Sequence, residues 1–161
     1  MKLSAALIFL CCIALLGGCA DPRFLVPGQS TTSDVRARLG TPTDTYTDRN
    51  GDQLWQYASG PEGFTTYQVR LGTDGRVKEV TQLLTEEQLA KVSPGTMTKA
   101  EVKNLLGRPT DETIYGAGLT WSWRFSLGGN QPGFLVVTFN PDNTVRDKIV
   151  IIDPSGDDPE P

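Results

Sequence analysis

The feature that most constrains this fold is an internal repeat with a period of 67 residues. The run Pro27-Gly28-Gln29-Ser30-Thr31-Thr32-Ser33-Asp34-Val35-Arg36-Ala37-Arg38-Leu39-Gly40-Thr41-Pro42-Thr43-Asp44 returns as Pro94-Gly95-Thr96-Met97-Thr98-Lys99-Ala100-Glu101-Val102-Lys103-Asn104-Leu105-Leu106-Gly107-Arg108-Pro109-Thr110-Asp111. Nine of the 18 positions are identical without a gap, and Asp34/Glu101 and Arg36/Lys103 keep their charge. Self-similarity at a fixed period marks one supersecondary unit used more than once. The chain is therefore expected to build two like units.

Each copy specifies a short helix with both ends marked. Thr31 and Thr98 stand where N-caps belong, with an acidic residue three positions on, the spacing of a capping box. Val35/Leu39 and Val102/Leu106 are spaced i, i+4 and make one apolar stripe per copy. Gly40 and Gly107 suit a left-handed residue after the last turn, and Pro42 and Pro109 stop the helix. Strands follow. Trp55 and Tyr57 alternate, as do Trp121, Trp123 and Phe125; so do Tyr67, Val69 and Leu71, and Leu135, Val137 and Phe139. Period two in aromatic and branched residues predicts half-buried strands. Asn50-Gly51 and Asp74-Gly75 are hairpin turns, matched by Gly116-Ala117-Gly118 and Asp142-Asn143. Thr85 and Gln88 make another capping box ahead of Leu89 and Val92, so the second copy has two helices. Pro22 and Pro27 argue against a full helix before the first copy.

The fold class expected is α+β, with helices packed on one face of an antiparallel sheet in each of two tandem units. The boundaries are a signal segment over 1–18, a linker over 19–25, units over 26–84 and 85–153, and a disordered tail over 154–161, which has no large apolar residue to bury.

The N-terminus carries an export pattern. Lys2 is followed by an apolar run to Leu16 and then Gly17-Gly18-Cys19. A short positive end, an apolar core of about 7–15 residues and small residues at the cut define a secretory signal. Leu16-Gly17-Gly18-Cys19 resembles a bacterial lipobox. That resemblance implies a diacylglycerol thioether on Cys19, cleavage before it and acylation, palmitate included, of the new amine. Two or more acyl chains anchor stably where one does not. Ala20 stands where a retained inner-membrane lipoprotein would resemble one with Asp, so outer-membrane sorting is expected.

Cleavage before Cys19 leaves 143 residues, with 14 basic and 19 acidic side chains. No basic stripe is present, so nucleic acid is not an expected partner. Histidine is absent from the whole chain. That removes the commonest general base and metal ligand, and Cys19, once acylated, offers no thiol. No catalytic residue, no metal site and no cofactor are expected. Asp48, Asp52, Asp74, Asp111 and Asp142 include possible carboxylate pairs, but each sits beside a turn, where Asp serves the backbone.

The motif Pro-Gly-x-x-Thr followed by Leu-Gly-x-Pro-Thr, then Trp-x-Tyr/Trp and an Asp-Gly-x-Val hairpin, resembles the SmpA/OmlA (BamE-like) family of outer-membrane lipoproteins. The resemblance covers Val26 to about Asp153 and implies an ααβββ unit, here used twice, with the first unit lacking a full first helix. It is similar in fold to the tandem β-lactamase inhibitor proteins. The function implied is that of a non-catalytic, lipid-anchored scaffold on the periplasmic side of the outer membrane. It would serve outer-membrane protein assembly or envelope maintenance, with the assembly machinery as a partner. The alternative is a protein-inhibitor or ligand-binding module, whose signature would be an exposed aromatic sheet face at Trp121, Trp123 and Phe125. The resemblance also points to the loop from Glu112 to Leu119 as a contact region. Tyr115 and Arg124 are its exposed candidate residues, Arg124 because it alternates with the buried set.

Overall fold

The computed structural model describes residues 21–60, 62–115, 118–128 and 131–152. A 3-10 turn over Pro22–Phe24 leads into α1 (Thr32–Leu39), β1 (Asp44–Thr47), β2 (Gln53–Ala58), β3 (Thr66–Leu71) and β4 (Val77–Gln82). Then come α2 (Glu86–Ala90), α3 (Lys99–Leu106), β5 (Asp111–Tyr115), β6 (Gly118–Leu127), β7 (Gln131–Phe139) and β8 (Val145–Ile152). The strands form two antiparallel sheets, β1-β2-β3-β4 and β5-β6-β7-β8. Each holds the three strands of the expected unit plus the short leading strand that the first hairpin turn needs. Before the first sheet a single 3-10 turn stands where the second has α2, in keeping with Pro22 and Pro27.

The helix ends are held as the sequence specifies. Thr31 and Thr98 each accept from the backbone N–H three residues on, while Asp34 and Glu101 accept from the N-cap N–H at 2.8 and 2.7 Å. At α2 only half of the box forms, Thr85 accepting from the Gln88 N–H at 3.3 Å. Gly40 and Gly107 differ in detail from the expected left-handed helical residue. Their φ is positive, 76° and 82°, but ψ is −146° and −168°. This is a region open essentially to glycine alone, so the requirement for glycine is stricter than a left-handed cap imposes.

Both copies strap their Pro-Gly opening to the last hairpin of their own sheet. Gly28 N–H donates to Val77 O at 2.8 Å, and Val77 N–H to Ser30 O at 2.9 Å. In the second copy Gly95 N–H donates to Val145 O, and Val145 N–H to Met97 O, both at 2.8 Å. The turns match too, with Asn143 at φ 67° where the first copy has Gly75 at 74°.

The two cores are unequal. The first holds Leu25, Val35, Trp55, Val69, Leu71 and Val77. The second holds twelve buried side chains, including Leu84, Leu89, Val92, Val102, Leu106, Trp121, Trp123 and Phe125. Full burial of one large apolar side chain contributes about 1.5–3 kcal/mol, so the second core is much the stronger. Two packing details differ from expectation. Leu39 is only half-buried, whereas its counterpart Leu106 is fully buried. Leu84, the last residue of the expected first unit, belongs to the second core with Leu89 and Val92.

Candidate functional site

The alternation of β2 breaks at Trp55 and Gln56, which are both buried. Trp55 faces the first core. Gln56 points to the opposite face and meets the second half, at Gly107. A Cβ built on Gly107 would lie 2.9 Å from Thr66 Cγ2 and 3.3 Å from Gln56 Oε1. The end of α3 thus seats against the outer face of the first sheet. Its position is fixed from behind, since the buried Trp123 Nε1 donates to the Gly107 carbonyl at 3.2 Å.

Charge surrounds this seat. Arg108 Nε donates to Asp44 Oδ2 at 3.1 Å, Arg108 Nη2 to Thr43 O at 3.4 Å, and Lys103 Nζ lies 3.9 Å from Asp44. A cavity of about 270 Å3 opens beside them, with Thr43, Thr65, Thr66, Leu84, Arg108 and Thr110 in its walls. Sequence reasoning missed this seam. Its signal was a departure between the copies: Gly40-Thr41-Pro42 in the first becomes Gly107-Arg108-Pro109 in the second.

Arg124 also joins the halves. It lies on β6, on the face away from Trp123 and Phe125, as its alternation required. It is not the exposed residue that alternation suggested, since its side chain is only 17% exposed. Nη1 donates to Glu62 Oε2 at 2.7 Å and to Glu62 O at 3.0 Å, and the guanidinium lies 4.7 Å from the Phe64 ring centroid. The ring of Phe134 also lies near it, 5.9 Å from the guanidinium. Arginine is covered here because the segment between β2 and β3 folds over it. The expected contact loop is mostly strand: residues 112–115 belong to β5 and 118–119 to β6, and Tyr115 pairs with Gly118. The side chain of Tyr115 lies outside the described residues, as do Cys19, the signal segment and the tail.

Asp48, Asp52, Asp74 and Asp142 serve turns and ion pairs, and Asp111 starts β5. Asp48 Oδ1 accepts from the N–H groups of Asn50 and Asp52 at 2.8 and 3.0 Å, and its other oxygen pairs with Arg70. Burial pushes the Asp48 carboxyl up, but those N–H donors and the Arg70 guanidinium outweigh it and hold it below the usual range. Asp52 is paired with Lys78 at 2.7 Å. Asp142 accepts from the Thr144 hydroxyl and N–H, which lower its carboxyl. Asp74 accepts from the Arg76 N–H at 3.1 Å, and Asp111 from the Thr113 hydroxyl at 2.5 Å. Among the described residues no three His, Cys, Asp or Glu side chains are placed to hold a metal, and no helix is long and apolar enough to cross a membrane. Trp121, Trp123 and Phe125, the alternative binding face, point into the second core.

The second half is thus two capped helices packed with an antiparallel four-stranded sheet. Residues 82–149 match the family model of the BamE domain, the outer membrane protein assembly factor BamE domain. That span holds α2, α3, β5, β6, β7 and most of β8, so this half of the chain is BamE-like, as the residues led one to expect. No curated protein and no solved structure matches the chain.

Proposed function

We propose that this protein is a non-catalytic scaffold in outer-membrane protein assembly or envelope maintenance, held by lipid on Cys19 and facing the periplasm. The observation that carries the reading is the BamE domain match over residues 82–149. The Leu16-Gly17-Gly18-Cys19 run supports the anchor, and the employment of the aspartates in turns and ion pairs supports a role without catalysis. Units over 26–84 and 85–153 are part of the same proposal. The assembly machinery is the partner proposed, with Tyr115 at the β5–β6 hairpin as its contact. Arg124 would act less directly, by holding the segment around Glu62 and Phe64 against β6.

Cross-linking in the native envelope tests the partner. A photoreactive residue at Tyr115 is expected to capture a component of the outer-membrane assembly machinery. Capture of unrelated proteins, together with unchanged outer-membrane protein levels on deletion, would sink the reading. The anchor is tested separately. Cys19→Ala is expected to abolish labelling by a radioactive fatty acid and to leave uncleaved precursor, and persistent label would refute the lipobox.

A further inference from the structure

Just ahead of their motif helices the two copies match residue for residue. Leu25 N–H donates to Pro22 O at 3.1 Å, and Ser30 N–H to Val26 O at 2.9 Å. In the second copy Val92 N–H donates to Leu89 O at 3.3 Å, and Met97 N–H to Ser93 O at 3.2 Å. Pro22 and Leu25 are buried, as are their counterparts Leu89 and Val92. The exposed positions beside them differ in kind. The second copy has Ala90, Lys91 and Ser93 where the first has Arg23, Phe24 and Val26. Phe24 is 66% exposed and Val26 45%, whereas Lys91 pairs with Glu87 on its own helix. In the same register, the first copy turns apolar side chains outward and the second does not.

Basic groups border this patch. The Arg38 guanidinium lies 5.4 Å from the Phe24 ring centroid, and Arg36 and Arg38 are both exposed on α1. The acidic groups of the same stretch are engaged locally. Asp21 accepts from Arg23 Nη2 at 2.7 Å, and Asp34 closes the capping box of α1. Exposed apolar side chains rimmed by arginines suit the boundary layer of a phospholipid bilayer. There the apolar groups enter at the headgroup–acyl boundary, and arginine stems lie along apolar surface with their charge at the phosphates.

The anchor says what covers the patch. Pro22 stands three residues after Cys19, a reach of about 11 Å when fully extended. The headgroup layer on each side of a bilayer is itself about 5–8 Å thick. Because Pro22 is already buried in the first unit, the tether gains no length beyond it. Lipid on Cys19 therefore brings the 3-10 turn to the headgroups. We propose that the face made by this turn and α1 lies on the phospholipid surface, with Phe24 and Val26 set into the headgroup–acyl boundary and Arg23 and Arg38 beside the phosphates. The inference rests on the lipid anchor proposed above and adds to it the face that meets the membrane.

The test uses the lipidated chain in phosphatidylcholine vesicles that carry a spin-labelled headgroup. Cys19 is acylated after maturation, so one introduced cysteine takes an environment-sensitive fluorophore alone. Arg38 lies 19 residues after Cys19, so nearness to lipid at Arg38→Cys does not follow from the tether alone. Emission there should shift to the blue and lose most of its intensity to the spin label. Asn104→Cys, exposed on α3 of the second copy, should stay bright. Phe24→Asp/Val26→Asp replaces exposed side chains only. It should restore most of the emission at Arg38→Cys while the chain still floats with the vesicles. A chain that carries no fatty acid and does not float refutes the anchor, and this seating with it. A chain that floats with Arg38→Cys bright, as it would if Phe24 and Val26 faced a protein, overturns the seating alone. So does quenching at Arg38→Cys that Asn104→Cys shares, or that Phe24→Asp/Val26→Asp leaves unchanged.

Discussion

Gly40 and Gly107 occupy the same place in the two copies and share a backbone conformation that other residues scarcely reach. Their surroundings differ. A Cβ on Gly40 would meet nothing within 4 Å, whereas one on Gly107 would press on Thr66 and Gln56. Gly40→Ala is thus expected to cost about 1–3 kcal/mol from backbone strain alone. Gly107→Ala adds overpacking of about 1–3 kcal/mol. Denaturant titration of the two variants should show the larger loss at Gly107, and equal losses would mean that the α3 seat on the first sheet contributes nothing. The seam was poorly legible in the sequence for a related reason. A glycine that turns a helix and one that also admits a neighbouring sheet are the same letter. Arg124 shows the same limit: alternation gave its face correctly but could not reveal that a segment some 60 residues earlier covers that face.

At the scale of elements the sequence was far more informative, because caps and strand periods are local. Both complete capping boxes, the alternating strands and the turns at Asp74-Gly75 and Asp142-Asn143 form where the residues place them. What local pattern missed was the seat of Gly107 on the sheet face opposite α1, a choice made by tertiary packing. The capping carboxylates also give the helices a pH dependence with a definite sign. Backbone N–H donation from Thr31 and Thr98, with their hydroxyls, holds Asp34 and Glu101 below the usual carboxylate range. A carboxyl lowered in the folded state contributes stability that is present above its unfolded pKa, about 4, and lost as pH falls through the folded value. The melting temperature should therefore drop as pH falls below about 4. Asp34→Asn/Glu101→Gln should start lower at pH 7 and fall less steeply in acid. A double variant with the wild-type slope would show that the boxes carry none of the acid sensitivity.

The whole molecule depends on whether the weaker first core stands alone. A unit of about 60 residues buries only some 60% of its unfolded surface and is marginal by itself. The first core holds six buried apolar side chains against twelve in the second, and it has a 3-10 turn in place of one helix. The outer face of its sheet is covered at Gln56 and Thr66 by the end of α3, and ion pairs from Arg108 and Arg124 flank the contact. Ion pairs with an exposed partner contribute about 0–1 kcal/mol each, and the burial at Gly107 and the covering of Arg124 by Phe64 add to the coupling. The two sheets are thus expected to unfold as one cooperative unit, with the second supporting the first. Leu89, 4% exposed, belongs to the second core and not to the first. Leu89→Ala should cost about 2–5 kcal/mol. If unfolding is shared, that loss must appear in every amide that exchanges by global opening. Hydrogen exchange should then show protection falling together in β2 and β3 and in β6 and β7. Protection lost from β6 and β7 while β2 and β3 keep theirs would establish two separately folding halves, and the seam would be a docking contact between them.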